Sequence, residues 1–238
     1  MVNIKDLKIE VFADGADLSS MLELNNDKNI KGFTTNPTLM KKAGVQDYKD
    51  FAIEISQKIK DKPLSFEVFA DDINQMEDQA HEINSWGSNI NVKIPITNTK
   101  GVSTNDLIGK LTSQNIKCNV TAIFTLEQVK NLLSFINNDT YTIISIFAGR
   151  IADTGIDPIP LMQEAVNLTK HTTNVKILWA SPRELLNIFH ANDSGCHIIT
   201  VASDILKKMN LINKNLDEFS LETVKMFYDD ARNVGYKI

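Results

Sequence analysis

One lysine stands inside an otherwise apolar run: Lys93, within Ile90-Asn-Val-Lys-Ile-Pro-Ile-Thr97. Desolvation disfavours an ammonium, so a lysine in a buried strand neutralises or finds a partner. The neutral amine is also the species that attacks a carbonyl to form a Schiff base. The competing explanation is a lysine that snorkels to a strand end or pairs with a carboxylate. The ends of the other apolar runs bear on the choice. Asp14 closes Val11-Phe-Ala-Asp-Gly-Ala-Asp17, and Asn36 lies in Thr34-Thr35-Asn36-Pro37. Glu67, Asn119 and Thr121, then Ser145, Phe147 and Arg150, and finally Ser181-Pro182-Arg183 follow at later run ends.

Each has an unremarkable explanation when taken singly. Asp14 could cap a helix near 18–24, Asn36-Pro37 could be a turn, Glu67 could face outward, and Asn119 or Thr121 could satisfy local backbone. Together they supply the parts of Schiff-base sugar chemistry. Carbinolamine formation and dehydration need a proton shuttle near the amine. Glu67, on the strand beside Lys93, is placed for that role, with Thr121 holding a water. Cleavage of a sugar C3–C4 bond needs a base for the C4 hydroxyl, and Asp14 is the candidate. Asn36 and Asn119 can hold sugar hydroxyls, and Arg150 and Arg183 can clamp a phosphate with forked hydrogen bonds.

These residues need elements that bring them to one place. Eight short β-type runs recur, at 8–13, 30–34, 64–69, 90–96, 116–121, 142–147, 175–180 and 197–201. Several are nearly continuous in Ile, Val and Phe, as expected of strands covered on both faces. Between them lie stretches with apolar residues at helical spacing. Examples are 47–60 with Tyr48, Phe51, Ala52 and Ile55, and 126–137 with Val129, Leu132, Leu133 and Ile136. Segments 72–86, 104–112, 160–172 and 182–191 fill the other gaps. Strand–helix alternation implies parallel βαβ units. Eight of them without a composition break suggest an α/β fold, a single (β/α)8 TIM barrel spanning 1–238, whose chemistry sits at the strands' C-terminal ends. No Gly-rich phosphate loop argues for an open sheet instead. An additional amphipathic helix at 216–235, bearing Phe219, Val224, Phe227 and Tyr228, either caps the barrel or docks on another subunit.

The chain has 238 residues, 42% hydrophobic and 23% charged, as in an ordinary globular protein. Thirty acidic against 25 basic side chains give a net charge of -5, and no basic run invites nucleic acid. No apolar stretch approaches the roughly 20 residues of a membrane helix, and the start lacks a signal peptide's apolar core. The expectation is a cytoplasmic protein. Cys118 and Cys196 read as buried reduced thiols, and the four histidines show no metal-ligand spacing.

Five motifs, each at a run end and in order along nearly the whole chain, resemble the transaldolase family of class I aldolases. They are Thr34-Thr35-Asn36-Pro37-Thr38-Leu39, Val92-Lys93-Ile94-Pro95, Asn119-Val120-Thr121, Phe147-Ala148-Gly149-Arg150-Ile151 and Ala180-Ser181-Pro182-Arg183. The resemblance implies Lys93 as the Schiff-base lysine and Asp14 as the base for carbon–carbon cleavage. Glu67 and Thr121 would position the catalytic water. Asn36, Asn119 and Ser145 would line a dihydroxyacetone pocket, near Phe147, and Arg150, Ser181 and Arg183 would bind phosphate. The implied reaction moves a dihydroxyacetone unit from sedoheptulose 7-phosphate or fructose 6-phosphate to an aldose phosphate, in the pentose phosphate pathway, without a metal or organic cofactor. The chain is short for the family and is similar to its small subfamily, which includes fructose-6-phosphate aldolases and often assembles through the C-terminal helix. A homo-oligomer follows as an expectation.

Within that subfamily the free aldolases carry glutamine where Glu67 stands and tyrosine where Phe147 stands. A tyrosine hydroxyl beside the enamine can help protonate it, whereas phenylalanine cannot, so both positions favour transfer over free cleavage. Ile146 and Pro182 depart from the family's usual proline and phenylalanine. The alternatives are a fructose-6-phosphate aldolase and a barrel that binds sugar phosphates without chemistry. The presence of Asp14, Glu67, Lys93 and Thr121 speaks against the latter.

Overall fold

Isoleucine, valine and phenylalanine at consecutive positions can be buried on both faces only if helices cover one side of each strand and other strands' side chains meet the other. The computed structural model, which describes residues 7–237, solves this with eight parallel strands closed in the order β1 to β8. In chain order the elements are β1 (Glu10–Asp14), α1 (Leu18–Asn25), β2 (Ile30–Thr34), α2 (Pro37–Lys42), α3 (Tyr48–Lys58), β3 (Leu64–Glu67), α4 (Ile73–Ser85) and β4 (Ile90–Pro95). Then follow α5 (Asn105–Ser113), β5 (Cys118–Ile123), α6 (Leu126–Leu133), β6 (Thr142–Ile146), α7 (Ala148–Ala152), α8 (Ile159–Thr169), β7 (Val175–Trp179), α9 (Leu186–Asp193), β8 (Ile198–Ala202), α10 (Ser203–Leu206) and α11 (Leu216–Val234). This is the (β/α)8 TIM barrel expected from the alternation. The strand ends differ from the expected runs by no more than two residues.

Local chemistry fixes the helix starts. At α6 the Thr125 hydroxyl accepts from Gln128 N–H at 3.2 Å while the Gln128 side chain accepts from Thr125 N–H at 3.1 Å, a capping box. The short α2 starts at Pro37, with Asn36 Oδ1 accepting from Leu39 N–H at 3.0 Å. Neither α2 nor α7 shows a helical stripe in the sequence, since six and five residues are too few for one.

Side chains alternate between the sheath and the barrel lumen. Outward residues such as Val92, Ile94, Val120 and Ile177 are fully buried against the helices. Inside, Phe12, Ile143, Leu178, Ala180 and Ile198 form a separate apolar cluster. Gly32 makes room for it, because a Cβ there would lie 2.6 Å from the Phe12 ring. Cys118 and Cys196 are free and buried, and burial pushes both thiols up to about 12, leaving them inert at neutral pH. Helix α11 buries none of its residues and exposes Leu216, Phe219, Val224, Phe227 and Tyr228. Among the described residues, no helix is long and apolar enough to cross a membrane.

Candidate active site

Parallel pairing sets Glu67, Lys93 and Asn119 side by side on β3, β4 and β5. Lys93 is only 7% exposed. Its Nζ lies 3.0 Å from Glu67 Oε2 and donates to the Thr35 carbonyl at 3.0 Å. Glu67 therefore faces inward, toward the lysine. Its backbone is held from the sheath side by Tyr48, whose hydroxyl accepts from Glu67 N–H at 2.7 Å and donates to Glu67 C=O at 2.9 Å.

Asp14 does not cap the helix that follows it; Asp17 does, accepting from Ser20 N–H at 2.8 Å. The Asp14 carboxylate instead accepts from the Thr34 hydroxyl at 2.7 Å, and that hydroxyl also meets Thr200. Burial raises the Asp14 carboxyl above the ordinary carboxylate range. Lys93 and the Thr34 hydroxyl pull the other way, and Glu67 adds to the rise. A carboxylate so raised is a better base than one in water.

Asn119, fully buried, donates to Ser65 Oγ at 3.1 Å and accepts from the Ser145 hydroxyl at 2.6 Å. These bonds fix the amide's orientation across β3, β5 and β6. Two residues on, the buried Thr121 hydroxyl has no partner among the described residues. Ala122 follows it with φ 60°, where the β5–β6 register shifts. Such a bulge re-aims a side chain next to a functional site.

The rim over β6 and β7 is basic and aromatic. The Arg150 guanidinium lies 5.4 Å from the Phe147 ring centroid, and Phe147 packs against Phe124 with centroids 5.6 Å apart. Ser181 adopts φ 57°. Arg183 is paired: its Nε donates to Asp153 Oδ1 at 3.0 Å and its Nη2 to Oδ2.

All of Asp14, Asn36, Glu67, Lys93, Asn119, Thr121, Ser145, Phe147, Arg150, Ser181 and Arg183 line one cavity of about 490 Å³ at the C-terminal ends of the strands. The cavity adds groups to which the sequence reading gave no role, among them Thr34, Thr38, Lys42 and Thr200. Thr200 left a signal, a hydroxyl at an inward position of an apolar strand. Asp153 left a weaker one, three residues after Arg150. Asn36 Oδ1 already accepts the α2 cap bond, while its amide nitrogen is a donor it can offer a ligand. Among the described residues, no three His, Cys, Asp or Glu side chains gather as metal ligands.

A family model described as transaldolase/fructose-6-phosphate aldolase matches residues 11–238. The chain is 33% identical over 231 residues to a probable transaldolase of a Thermoanaerobacter species, covering 97% of this chain and 100% of that one. It is 34% identical over 226 residues to a probable transaldolase of Clostridium acetobutylicum, covering 94% and 100%. Among solved structures, the dihydrodipicolinate synthase of Rhodopseudomonas palustris superposes with a TM-score of 0.54 at 12% identity, over 84% of this chain and 71% of that one, a likeness of fold alone.

Proposed function

This chain belongs to the transaldolase/fructose-6-phosphate aldolase family, and from that premise we propose that it is a transaldolase working through a Schiff base on Lys93. Lys93 gives a proton to Glu67, 3.0 Å away, and the freed amine attacks the C2 carbonyl of a ketose phosphate such as fructose 6-phosphate or sedoheptulose 7-phosphate. Glu67 passes the proton that lets the carbinolamine lose water, through a water molecule held by the Thr121 hydroxyl. Asp14 takes the proton of the C4 hydroxyl as the C3–C4 bond breaks, and the bonding electrons move into the iminium to give an enamine. The aldose leaves. A second aldose phosphate accepts the three-carbon unit by the reverse steps, and hydrolysis frees Lys93. Asn36, Asn119 and Ser145 hold the hydroxyls of the dihydroxyacetone moiety, and Arg150, Ser181 and Arg183 hold the phosphate. A role in the pentose phosphate pathway and a cytoplasmic location belong to the same proposal.

The observation that carries this reading is a nearly buried lysine 3.0 Å from a carboxylate, with an unpaired buried hydroxyl on the next strand lining the same cavity. Phe147 offers the enamine no hydroxyl proton, which supports transfer over release. A homo-oligomer is part of the proposal. It is supported by the apolar residues α11 leaves exposed, Phe227 at 63% and Tyr228 at 60% among them.

The test is release of glyceraldehyde 3-phosphate from fructose 6-phosphate, with and without erythrose 4-phosphate. Release only with the acceptor is the expected result. Release without it makes the protein a fructose-6-phosphate aldolase and removes Phe147 and Glu67 as the groups that set the partition.

A further inference from the structure

The two arginines at the basic rim come from different strands, yet their supports touch backbone to backbone. A Cβ on Gly149 would stand 1.5 Å from the Ser181 carbonyl oxygen, so only glycine permits this approach. Gly149 N–H donates to the Ala180 carbonyl at 3.2 Å. The α7 turn, which carries Arg150, is thereby fastened to the end of β7, which leads into Arg183. The residue that follows α7 is Asp153, whose carboxylate takes the Nε and Nη2 edge of the Arg183 guanidinium across 30 residues of sequence.

We propose that Asp153 is a positioning residue that sets the Arg183 guanidinium edge-on and thereby selects phosphorylated over unphosphorylated sugars. The inference rests on the sugar-phosphate reading of this cavity given above. A guanidinium has five N–H donors. Asp153 engages two of them, leaving a planar pair at the outer end for the bidentate geometry that phosphate favours. Arg183 is otherwise half-exposed, at 48%. An unheld arginine there would have to be ordered by each arriving substrate, at a cost in affinity.

The pair has an opposite effect to weigh. A carboxylate close to the phosphate repels it, so deleting Asp153 on electrostatic grounds alone would tighten binding. Both side chains are about half-exposed, where charge effects are screened and modest. Orientation therefore dominates, and the two accounts predict changes of opposite sign.

The experiment compares Asp153→Ala, Asp153→Asn and Arg183→Ala in the full chain, measuring kcat and KM separately. The donors are fructose 6-phosphate and unphosphorylated fructose, with unphosphorylated erythrose as acceptor, so that only the donor's phosphate differs. Asp153→Ala should raise KM for fructose 6-phosphate about 3- to 10-fold, the cost of ordering one long side chain. Its kcat and its fructose kinetics should stay within about twofold. Asp153→Asn, which keeps one acceptor, should fall between. Adding Asp153→Ala to Arg183→Ala should change KM no further, because Asp153 acts through Arg183. An unchanged or lowered KM in Asp153→Ala, with KM raised in Arg183→Ala, overturns the positioning role and leaves the phosphate site standing. Equal losses on both donors in Arg183→Ala remove the phosphate site, and Asp153's role with it.

Discussion

The two halves of the barrel lumen are built on the same parallel strands and filled with opposite chemistry. Toward β1, β6, β7 and β8 the layer beneath Asp14, Ser145 and Thr200 is closed by Phe12, Ile143, Leu178 and Ile198, all at most 1% exposed. Toward β3, β4 and β5 the inward positions are Ser65, Glu67, Asn91, Lys93, Asn119 and Thr121. Fully burying one apolar side chain stabilises by roughly 1.5–3 kcal/mol. The polar half offers no such gain. Its ion pair between Glu67 and Lys93 gains little net stability once desolvation is counted. Both amide atoms of Asn91 and the hydroxyl of Thr121 are buried without partners among the described residues, and leaving such groups unsatisfied costs about 1–3 kcal/mol each. The apolar half holds the barrel closed, and that lets the other half keep buried polar groups that add little stability.

Substitutions in the two halves should therefore separate activity from stability. The largest effect belongs to Lys93→Ala, which should abolish turnover while circular dichroism and the unfolding transition still report a folded barrel. Substantial residual activity would remove the Schiff-base assignment. Next, Leu178→Ala in the apolar half should lose about 2–5 kcal/mol of stability, as large-to-small core changes do. Its kcat per folded molecule, assayed well below the transition, should stay within a few-fold of the parent. A severe kcat loss there would mean that the halves are not separable.

The smallest effect has the opposite sign. The Asp14 carboxyl binds its proton more tightly in the folded chain than in the unfolded one, chiefly because it is buried. Ionised Asp14 thus destabilises the fold, beginning near pH 4, the ordinary carboxylate value, and most fully above its raised folded-state value. Asp14→Asn should melt at a higher temperature than the parent at neutral pH, with the gain fading below about pH 4, while activity falls. A lower melting temperature at neutral pH would contradict the burial account of this carboxylate.

What could be seen in the sequence follows the same division. The strands were legible because burial on both faces leaves runs of Ile, Val and Phe that a surface strand could not carry. Lys93 was legible because a charge interrupts one of those runs, and Glu67, Asn119 and Thr121 because polar residues fall in step with it. The contacts that cross strands were not. Asp153 meets Arg183 only because β6 pairs β7 and Gly149 admits a carbonyl beside it. Thr200 reaches Thr34 only because β8 closes onto β1 and β1 onto β2. Which of two aspartates caps α1 was decided by geometry, since Asp17 lies one residue before Leu18, whereas Asp14 still belongs to β1.

A Schiff base is a covalent bond, and it can be trapped directly. Protein incubated with fructose 6-phosphate is treated with borohydride, digested, and mapped by mass spectrometry. A reduced sugar adduct is expected on Lys93, and it should be lost in the Lys93→Ala variant. An unmodified Lys93, or an adduct carried by another lysine such as Lys42 at the cavity mouth, would contradict the Schiff-base assignment.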